Sequence, residues 1–322
     1  MKLSVIIPAY NLEKYISECL FGVLEQVTSF SFEVICIDDC SSDGTWGLLE
    51  KHSKEYTNLK VIKNSSNLGL AKTQKELLQL VTGEYIAYLD GDDVALPGKL
   101  QGLVDYMDDN TSCALAYHEA EVFDSDTGDT LGLYSKGFYN AKYVPQRATV
   151  EHFIKFGCFA NASSIIFRRH GSLLNAIEES CKIILDYPWH ILNVLYIGGS
   201  VDFIDKVYGR YRIHNQSFGG QTRRNPERRV QSMNDQILAV KNARKFGVAQ
   251  EVIDKGIAHH QFAAALYFLK LHDFVCFQQY VGPVGQQAIF FDERHIFAFA
   301  NREYPELVLQ KLFPELVCDS NV

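Results

Sequence analysis

Short apolar runs alternate with longer stretches of helical periodicity through the first 110 residues of the chain. The runs have strand length and are apolar at consecutive positions, as in parallel strands buried on both faces. The stretches between them repeat apolar residues near a period of 3.6, as helices do. The pattern predicts an α/β fold with a doubly wound, mostly parallel sheet. Its four predicted strands are LSVIIPAY, FEVICIDD, LKVIKN and EYIAYLDGDD.

Beyond residue 110 the alternation is weaker, and from about residue 226 the pattern is helical. Three further segments have strand character. A separate segment, KIILDYPWHILNVLYIGG, contains a helix closed by two glycines. SFGGQTRRNPERR interrupts the periodicity. We therefore predict one α/β domain over residues 1–218, with halves 1–110 and 111–218, and a helical C-terminal subdomain over residues 219–322. The three strand-like segments are CALAYHEAEVF, FANASSIIFRR and SVDFIDKVYGRYRIH.

Composition narrows the class of protein. Hydrophobic residues make up 47% of the 322 positions and charged residues 22%, a balance typical of a soluble globular protein. The net charge of -8 argues against general nucleic-acid binding, which requires a basic face. The eight cysteines form no CxxC pair, so we expect reduced thiols in a cytosolic protein. No stretch approaches the roughly 20 apolar residues of a membrane span.

Two acidic clusters follow predicted strands, one after FEVICI and one after EYIAYL. Ligands of doubly wound sheets bind beyond the carboxyl ends of the strands. Two carboxylates separated by one residue can share a hard divalent cation, and Mg²⁺ and Mn²⁺ often take only one or two carboxylates plus substrate phosphates. The alternative is a solvated, capped turn. We favour a metal site. The clusters are Asp38 and Asp39, then Asp90, Asp92 and Asp93.

The first acidic cluster has two interpretations, which can coexist. A buried carboxylate at a strand end can accept a hydrogen bond from the N–H of a pyrimidine ring. Asp38 and Asp39 can also cap the following helix together with Ser41 and Ser42. The chain contains neither GxGxxG nor GxxxxGK[ST], so dinucleotide redox chemistry and P-loop phosphoryl transfer lack their usual signal.

Taken in order, several segments resemble the family 2 glycosyltransferases, which have the GT-A fold. The specific part covers about a third of the chain, and weaker matches extend to about residue 215 in a manner similar to bacterial enzymes that build cell-surface polysaccharide. The resemblance implies a nucleotide-diphosphosugar donor, Mn²⁺ or Mg²⁺, a nucleotide-sugar half at 1–110 and an acceptor half at 111–218. The matching segments are SVIIPAYN, VICIDDCSSDGT, NLGLA, GEYIAYLDGDDVALPGKL, SSIIFRR, LDYPWHILNV and YGRYRIH.

The resemblance assigns roles on the donor side by position. Pro8, Ala9 and Tyr10 are expected to line the nucleotide pocket, and Asp39 with Asp38 to hold the base. Asp90 and Asp92 form the metal motif, with Asp92 as the direct ligand. Asp93 is expected to support the turn or to contact a sugar hydroxyl.

On the acceptor side, Asp186 falls where the family carries its catalytic base. A sugar hydroxyl needs such a carboxylate to accept its proton, and the implied reaction is a single displacement with inversion. The alternative for Asp186 is a helix cap, because Pro188 follows. Trp189 and His190 are candidates for the floor of the acceptor pocket, against ordinary core packing. Candidate diphosphate contacts are Arg212 and His214.

The chain departs from the family pattern at two places. The arginine often found in the helix after NLGLA is replaced by Gln74, so Lys72 or Lys75 is the candidate contact to the donor phosphate. The usual glutamate before the base is replaced by Leu185.

The helical C-terminal region has two interpretations. The first is a platform that faces a membrane or a partner, since lipid-linked acceptors are common among such enzymes. The second is a helical subdomain that packs on the catalytic domain or on a second copy of the chain. We favour the second. The basic segment TRRNPERR could contact anionic lipid headgroups, but we favour a solvated face or a flexible active-site loop. The expected location is the cytoplasm, with peripheral membrane contact left open.

Three functional classes follow. We favour a metal-dependent inverting glycosyltransferase that moves a hexosyl or N-acetylhexosaminyl group, with a UDP-sugar implied by resemblance, to a saccharide or lipid-linked saccharide. A sugar nucleotidyltransferase would need a Gly-rich loop near the N-terminus, and PAYNLEK contains no glycine. The third class, a catalytically inactive saccharide-binding module, is disfavoured by the intact carboxylates.

Overall fold

The computed structural model describes residues 1–214 and 217–318, which fold into two compact units. Of the described residues, the first unit contains 1–150, 158–180, 185–214 and 217. The second contains residues 218–318 together with two short segments, 151–157 and 181–184. These segments lie within the predicted acceptor half, and nothing in their sequence distinguishes them from their neighbours.

The first unit begins with four parallel strands joined by helices. The side chains of β1 and β4 are buried throughout, as are most of those of β2, whereas β3 lies at the sheet edge and is partly exposed. Helix α1 buries Ile16, Leu20 and Val23. The strands lie in the order β3-β2-β1-β4, so the ends of β1, β2 and β4 share one edge of the sheet. The elements are β1 (Leu3–Ala9), α1 (Ile16–Leu24), β2 (Phe32–Asp38), α2 (Thr45–Glu55), β3 (Leu59–Lys63), α3 (Leu70–Leu80) and β4 (Tyr85–Tyr88).

Beyond β4 the sheet is mixed, whereas the alternating pattern predicted a mostly parallel one. The order continues β4-β9-β6-β10-β5, where β9 is antiparallel to both of its neighbours and only β6 and β10 run parallel. The elements are β5 (Val94–Ala95), α4 (Lys99–Asp109), β6 (Cys113–Asp124), β7 (Thr130–Leu133), β8 (Arg147–Ala148), α5 (Val150–Phe156), β9 (Ile165–Arg168), α6 (Asp186–Ile197) and β10 (Ser200–Ile213).

The second unit is helical, as its periodicity predicts. Its core combines aromatic side chains, including Phe262, Phe268 and Phe277, with aliphatic side chains such as Val308 and Leu309. Among the described residues, no helix is both long and apolar enough to cross a membrane. The helices are α7 (Phe218–Arg224), α8 (Pro226–Asn242), α9 (Gln250–Lys270), α10 (Phe274–Tyr280), α11 (Glu293–Ala300), α12 (Pro305–Leu312) and α13 (Glu315–Cys318).

A buried carboxylate attaches segment 181–184 to the second unit. Oδ2 of Asp235, on α8, accepts hydrogen bonds from the backbone N–H groups of Lys182, Ile183 and Ile184 over 3.0, 2.6 and 3.1 Å. Buried backbone donors need such partners. The long-range pairing explains why sequence periodicity alone could not assign this segment.

One arginine of the basic segment TRRNPERR contacts a neighbouring helix of the second unit. The guanidinium of Arg229 donates to the carbonyl oxygen of Ala263 over 3.2 Å and lies 5.6 Å from the ring centre of Tyr267. The side chain of Arg223 lies outside the described residues. Membrane contact and self-association stay predictions.

Candidate active site

The loop after β4 carries the second acidic cluster, and its backbone is anchored at Asp90. The Tyr88 hydroxyl donates to Oδ1 of Asp90 over 2.7 Å, and the Asp90 N–H donates to Oγ of Ser163 over 2.9 Å. Ser163 belongs to a short 3-10 helix, Ala162–Ser164, directly before β9. Because β9 pairs with β4, this helix comes back to the start of the loop. The antiparallel half of the sheet thus supports the metal motif of the parallel half.

Asp93 supports the loop and is not free to contact a sugar. Its side chain is buried, Oδ2 accepts from the Ser163 hydroxyl over 2.5 Å, and Oδ1 accepts from the backbone N–H of Arg212 over 2.9 Å. Of the two expectations for Asp93, the structure supports the turn and not the sugar contact. Burial and the neighbouring charges of Asp92 and Asp90 raise the pKa of its carboxyl well above the usual range.

A buried lysine, Lys99, places a positive charge near the acidic cluster. The ammonium group of Lys99 is buried at the start of α4 and donates to the carbonyl oxygen of Ser163 over 2.6 Å. Burial lowers the pKa of Lys99 to about 8, against the opposing charges of Asp93 and Asp90. The sequence shows this lysine in ALPGKL, but its burial beside the acidic cluster is a tertiary feature that sequence reasoning missed.

The negative charges of Asp90, Asp92 and Asp186 repel one another. Burial, followed by the charge of Asp92, raises the pKa of Asp90 to about 7, and the charge of Asp186 contributes in the same direction. Such mutual repulsion is relieved when a cation enters, since an opposite charge favours the ionised form. The helix that Asp186 opens lies near this cluster, because its Trp189 ring packs 5.4 Å from the ring of Tyr88, whose hydroxyl donates to Asp90.

Asp92 and His214 form a partly buried pair within the cluster. Nε2 of His214 lies 3.0 Å from Oδ2 of Asp92, and the His214 ring lies 5.0 Å from the ring of Tyr15. His214 directly follows β10, and β10 pairs with β5, which begins two residues after Asp92, so this pairing brings the two side chains together. Carboxylate oxygens with one imidazole nitrogen fit a divalent cation, and the imidazole suits Mn²⁺ better than Mg²⁺. The residues present therefore fit the implied metal.

Arg212 supports this pair from behind. Its guanidinium donates to the carbonyl oxygen of Asp92 over 2.7 Å, pairs with Glu18, and lies 4.8 Å from the ring centre of Tyr15. Only 6% of the residue is exposed. The expectation that Arg212 contacts the diphosphate is corrected, because its donors are directed at the protein.

Asp186 opens α6 and does not cap it. The N-cap position is Leu185, and no side chain makes a capping hydrogen bond there. The Asp186 carboxylate instead accepts from the Cys158 thiol, with Sγ 3.7 Å from Oδ2. The side chain is half-buried, so it remains within reach of a ligand. The alternative that Asp186 is a helix cap is therefore wrong.

Trp189 and His190 belong to the core, which corrects the expectation that they form the floor of an acceptor pocket. Both residues are 0% exposed, and the Trp189 ring packs edge-on against Tyr88 and Phe167, at 5.4 and 5.2 Å. Residues 187–194 of α6 are all buried, so the helix has no face for a saccharide there. The tryptophan positions Asp186 by fixing α6 on the sheet.

The other edge of the site lies at the ends of β1 and β2. Asp39 is buried and accepts from Asn64 Nδ2 and from the N–H groups of Leu68 and Gly69 over 2.9, 2.9 and 2.8 Å. Asp38 accepts from Ser41 through its hydroxyl and its N–H group. Both carboxylates thus order loops at this edge, and their contact with a base stays a prediction.

The backbone at the same edge is strained. Cys40 and Asn11 have φ values of 61° and 54°, in the left-handed region that non-glycine residues rarely adopt. The two residues are connected through Ser41, whose hydroxyl accepts from the Asn11 N–H over 2.9 Å. Strained residues of this kind cluster at ligand sites. Asparagine tolerates the left-handed conformation, so the sequence gives a hint of it at Asn11 but none at Cys40.

The predicted pocket residues around this edge differ in exposure. Pro8 and Ala9 are buried in β1, whereas the Tyr10 side chain is half exposed and available to stack on a base. Lys75 pairs with Glu179, and Lys72 is exposed on the same helix. Of the two lysines proposed for the missing arginine, Lys72 is therefore the one available to a phosphate.

Comparison with known structures supports the fold. The crystal structure of S. aureus TarS 1-349 in complex with UDP-GlcNAc matches with a TM-score of 0.64 at 19% identity, covering 96% of this chain and 88% of that one. The mannosyltransferase PcManGT from Pyrobaculum calidifontis, in complex with GDP-Man and Mn²⁺, matches with a TM-score of 0.55 at 15% identity, covering 97% and 87%. The predicted GT-A fold is confirmed, and the match includes the helical C-terminal region.

Sequence comparison supports the family. An uncharacterized protein of Mycobacterium tuberculosis is 26% identical over 217 residues, which is 66% of this chain and 59% of that protein. A poly(ribitol-phosphate) beta-glucosyltransferase of Bacillus spizizenii is 38% identical over 95 residues, 29% of this chain and 15% of that protein. This chain therefore spans well under two thirds of the length of these relatives. The family described as glycosyl transferase family 2 matches residues 4–166, just over half of the chain. The chain is a member of glycosyl transferase family 2.

Proposed function

We propose that this protein is a metal-dependent, inverting glycosyltransferase that moves a sugar from a nucleotide diphosphosugar to a hydroxyl of a saccharide or lipid-linked saccharide. One observation carries the proposal: His214 lies against Asp92, and the helix that Asp186 opens packs on Tyr88, whose hydroxyl donates to Asp90, although these residues come from three separate parts of the chain. In this fold the carboxyl edge of the sheet is where ligands bind. Family membership gives the reaction class, and the carboxylates give the chemistry.

The donor side is assigned to Asp92, Asp90 and His214. Asp92 and His214 would hold Mn²⁺ or Mg²⁺ together with the donor diphosphate, and Asp90 would contribute its charge. A bound divalent cation would neutralise the negative charge that develops on the departing diphosphate. Tyr10, Asp39 and Lys72 are proposed for the base and the phosphates, at the edge formed by β1, β2 and α3.

The acceptor side is assigned to Asp186. Its carboxylate takes the proton from the acceptor hydroxyl as the hydroxyl oxygen bonds to the anomeric carbon. The bond between the anomeric carbon and the diphosphate oxygen breaks, and the nucleoside diphosphate leaves with that electron pair. Attack from the face opposite the leaving group inverts the anomeric configuration. The proton then passes from Asp186 to solvent.

The donor is proposed to be a UDP-sugar, and a hexose or N-acetylhexosamine is the class transferred. TarS was crystallised with UDP-GlcNAc, which supports this choice, whereas PcManGT was crystallised with GDP-Man. Both similarities concern the fold alone. The nucleotide is therefore the variable to test first.

The test is a thermal-shift panel of UDP-, GDP-, dTDP- and CMP-sugars, each with and without Mn²⁺. A ligand that binds only the folded state raises the melting temperature according to its concentration relative to Kd. We expect a metal-dependent shift with the UDP-sugars that Asp92→Ala abolishes. Asp126→Ala, which alters an exposed carboxylate in the β6–β7 turn, is the matched control and should keep the shift.

Other outcomes would contradict the proposal. Absence of any shift, in a protein that also fails to hydrolyse or transfer from a nucleotide sugar, would favour an inactive saccharide-binding module. Release of pyrophosphate from a nucleoside triphosphate and a sugar phosphate would identify a nucleotidyltransferase. A shift that persists in Asp92→Ala would place the metal elsewhere.

A further inference from the structure

Three potential ligands of a soft metal meet at the start of α6, outside the proposed donor site. They are Sγ of Cys158, a carboxylate oxygen of Asp186 and a ring nitrogen of His190, and these atoms all lie within 4.8 Å of one another. Asp186 and His190 are four residues apart on α6, so their side chains share one face of the helix. Cys158 approaches that face from the chain between α5 and β9.

The separation of these atoms suits tetrahedral coordination. Zinc binds sulfur at about 2.3 Å and carboxylate oxygen at about 2.0–2.2 Å, which places the two ligand atoms roughly 3.5 Å apart. Sγ of Cys158 lies 3.7 Å from Oδ2 of Asp186. Small side-chain adjustments would therefore suffice to close the site around an ion.

The donor set also selects the metal. Thiolate and imidazole are the ligands of zinc, whereas Mg²⁺ and Mn²⁺ prefer oxygen. Cys158 and Asp186 are half-buried and His190 is buried, so an ion could enter from the side of the first two residues. Three protein ligands leave the fourth tetrahedral position for water or a substrate oxygen.

We propose that Cys158, Asp186 and His190 form a second metal site that binds Zn²⁺ and thereby blocks the base. The blocking effect rests on the proposed function, because an ion bonded to the Asp186 carboxylate occupies the oxygen that must accept the acceptor proton. The binding itself does not depend on that function. Zinc inhibition should therefore act on transfer even when the donor site is saturated with Mn²⁺ and donor.

The binding test uses Co²⁺ as a spectroscopic substitute for zinc. A thiolate bound to Co²⁺ gives a charge-transfer absorption that carboxylate and imidazole ligands do not give. We use the full chain with Asp92→Ala, which removes the proposed donor-site ligand. We expect the band, its displacement by Zn²⁺, and its loss in Cys158→Ser. Cys276→Ser, at another half-buried free cysteine, is the matched control and should keep the band.

A second variant guards against misfolding of Cys158→Ser. Asp186→Asn retains the thiol and should weaken zinc binding at least about tenfold, which corresponds to about 1.4 kcal/mol. Absence of the band, its persistence in Cys158→Ser, or unchanged zinc affinity in Asp186→Asn would each overturn the proposal. Zinc binding here without inhibition of transfer would leave the metal site standing and would refute both the blocking step and the assignment of Asp186 as the base.

Discussion

The ammonium group of Lys99 donates to the carbonyl oxygen of Ser163 over 2.6 Å, and the Ser163 hydroxyl donates to Asp93 over 2.5 Å. One serine thus joins a buried cation to the acidic loop after β4. The same hydroxyl accepts the N–H of Asp90. Because Ser163 is seventy residues away from that loop, the geometry of the metal motif depends on the second half of the sheet.

Replacement of Lys99 should unfold the protein more readily than replacement of an exposed lysine. Lys99→Met leaves the buried carbonyl oxygen of Ser163 without its donor, and we expect a loss on the order of 1–3 kcal/mol in the free energy of unfolding. Lys75→Met breaks a partly exposed pair with Glu179 and should cost no more than about 1 kcal/mol. Urea denaturation of both variants measures the difference. Equal losses would show that the buried hydrogen bond of Lys99 does not stabilise the fold more than the partly exposed pair.

Asp186→Asn should separate binding from transfer. The amide keeps the shape of the carboxylate but cannot accept the proton, so we expect unchanged donor binding and a fall in kcat of about 10²–10⁴-fold. Thermal shift measures the binding, and release of the nucleoside diphosphate in the presence of acceptor measures transfer. Transfer at the wild-type rate would reject Asp186 as the base. Asp126→Asn, in an exposed turn, controls for the change of charge.

His214→Asn should weaken the metal site without removing it. Nε2 of His214 lies 3.0 Å from Oδ2 of Asp92, so we expect the Mn²⁺ concentration for half-maximal activity to rise at least about tenfold. His272→Asn makes the same change at an exposed turn where φ is 57°, a conformation that asparagine tolerates. A titration with Mn²⁺ compares the two variants. An unchanged metal requirement in His214→Asn would assign this histidine a purely structural role.

Buried histidines should make the protein unstable in mild acid. Burial lowers the pKa of His295 to about 4 and that of His259 to about 3, from the ordinary value of 6.5. His295 Nδ1 accepts from the Phe291 N–H, and its other nitrogen lies 2.9 Å from the carbonyl oxygen of Val281. The folded state therefore holds the neutral form.

The sign of the pH effect follows from proton uptake. Below pH 6.5 the His295 side chain binds a proton in the unfolded chain but stays neutral in the folded state. The free energy of unfolding therefore falls as the pH decreases from about 6.5 towards about 4. Melting temperatures from pH 7.5 to 4.5, set roughly to span this window, measure the slope. His295→Gln should flatten the slope while lowering stability at neutral pH, and His272→Asn should leave the slope unchanged. A slope unaffected by His295→Gln would contradict the linkage.

The first half of the fold was readable from the sequence because its signals are local. Runs such as LSVIIPAY carry apolar residues at consecutive positions because both faces of the strand are buried, and the runs lie where the structure has β1 to β4. The position of Asp90 and Asp92 beyond a strand followed directly. The direction of β9 and the two segments of the second unit did not follow, since strand direction and long-range hydrogen bonds leave no periodic mark.

The sequence by itself determined the family, the α/β class and the carboxylates proposed to carry the chemistry, because ordered motifs and apolar runs are properties of neighbouring residues. Only the tertiary structure decided which polar groups support others and which face a ligand. Trp189, His190 and Arg212 are buried in it. Lys99 is connected to the acidic loop through Ser163, and His214 lies 3.0 Å from Asp92. These assignments depend on desolvation and on contacts between distant parts of the chain, and both arise only when the sheet is assembled.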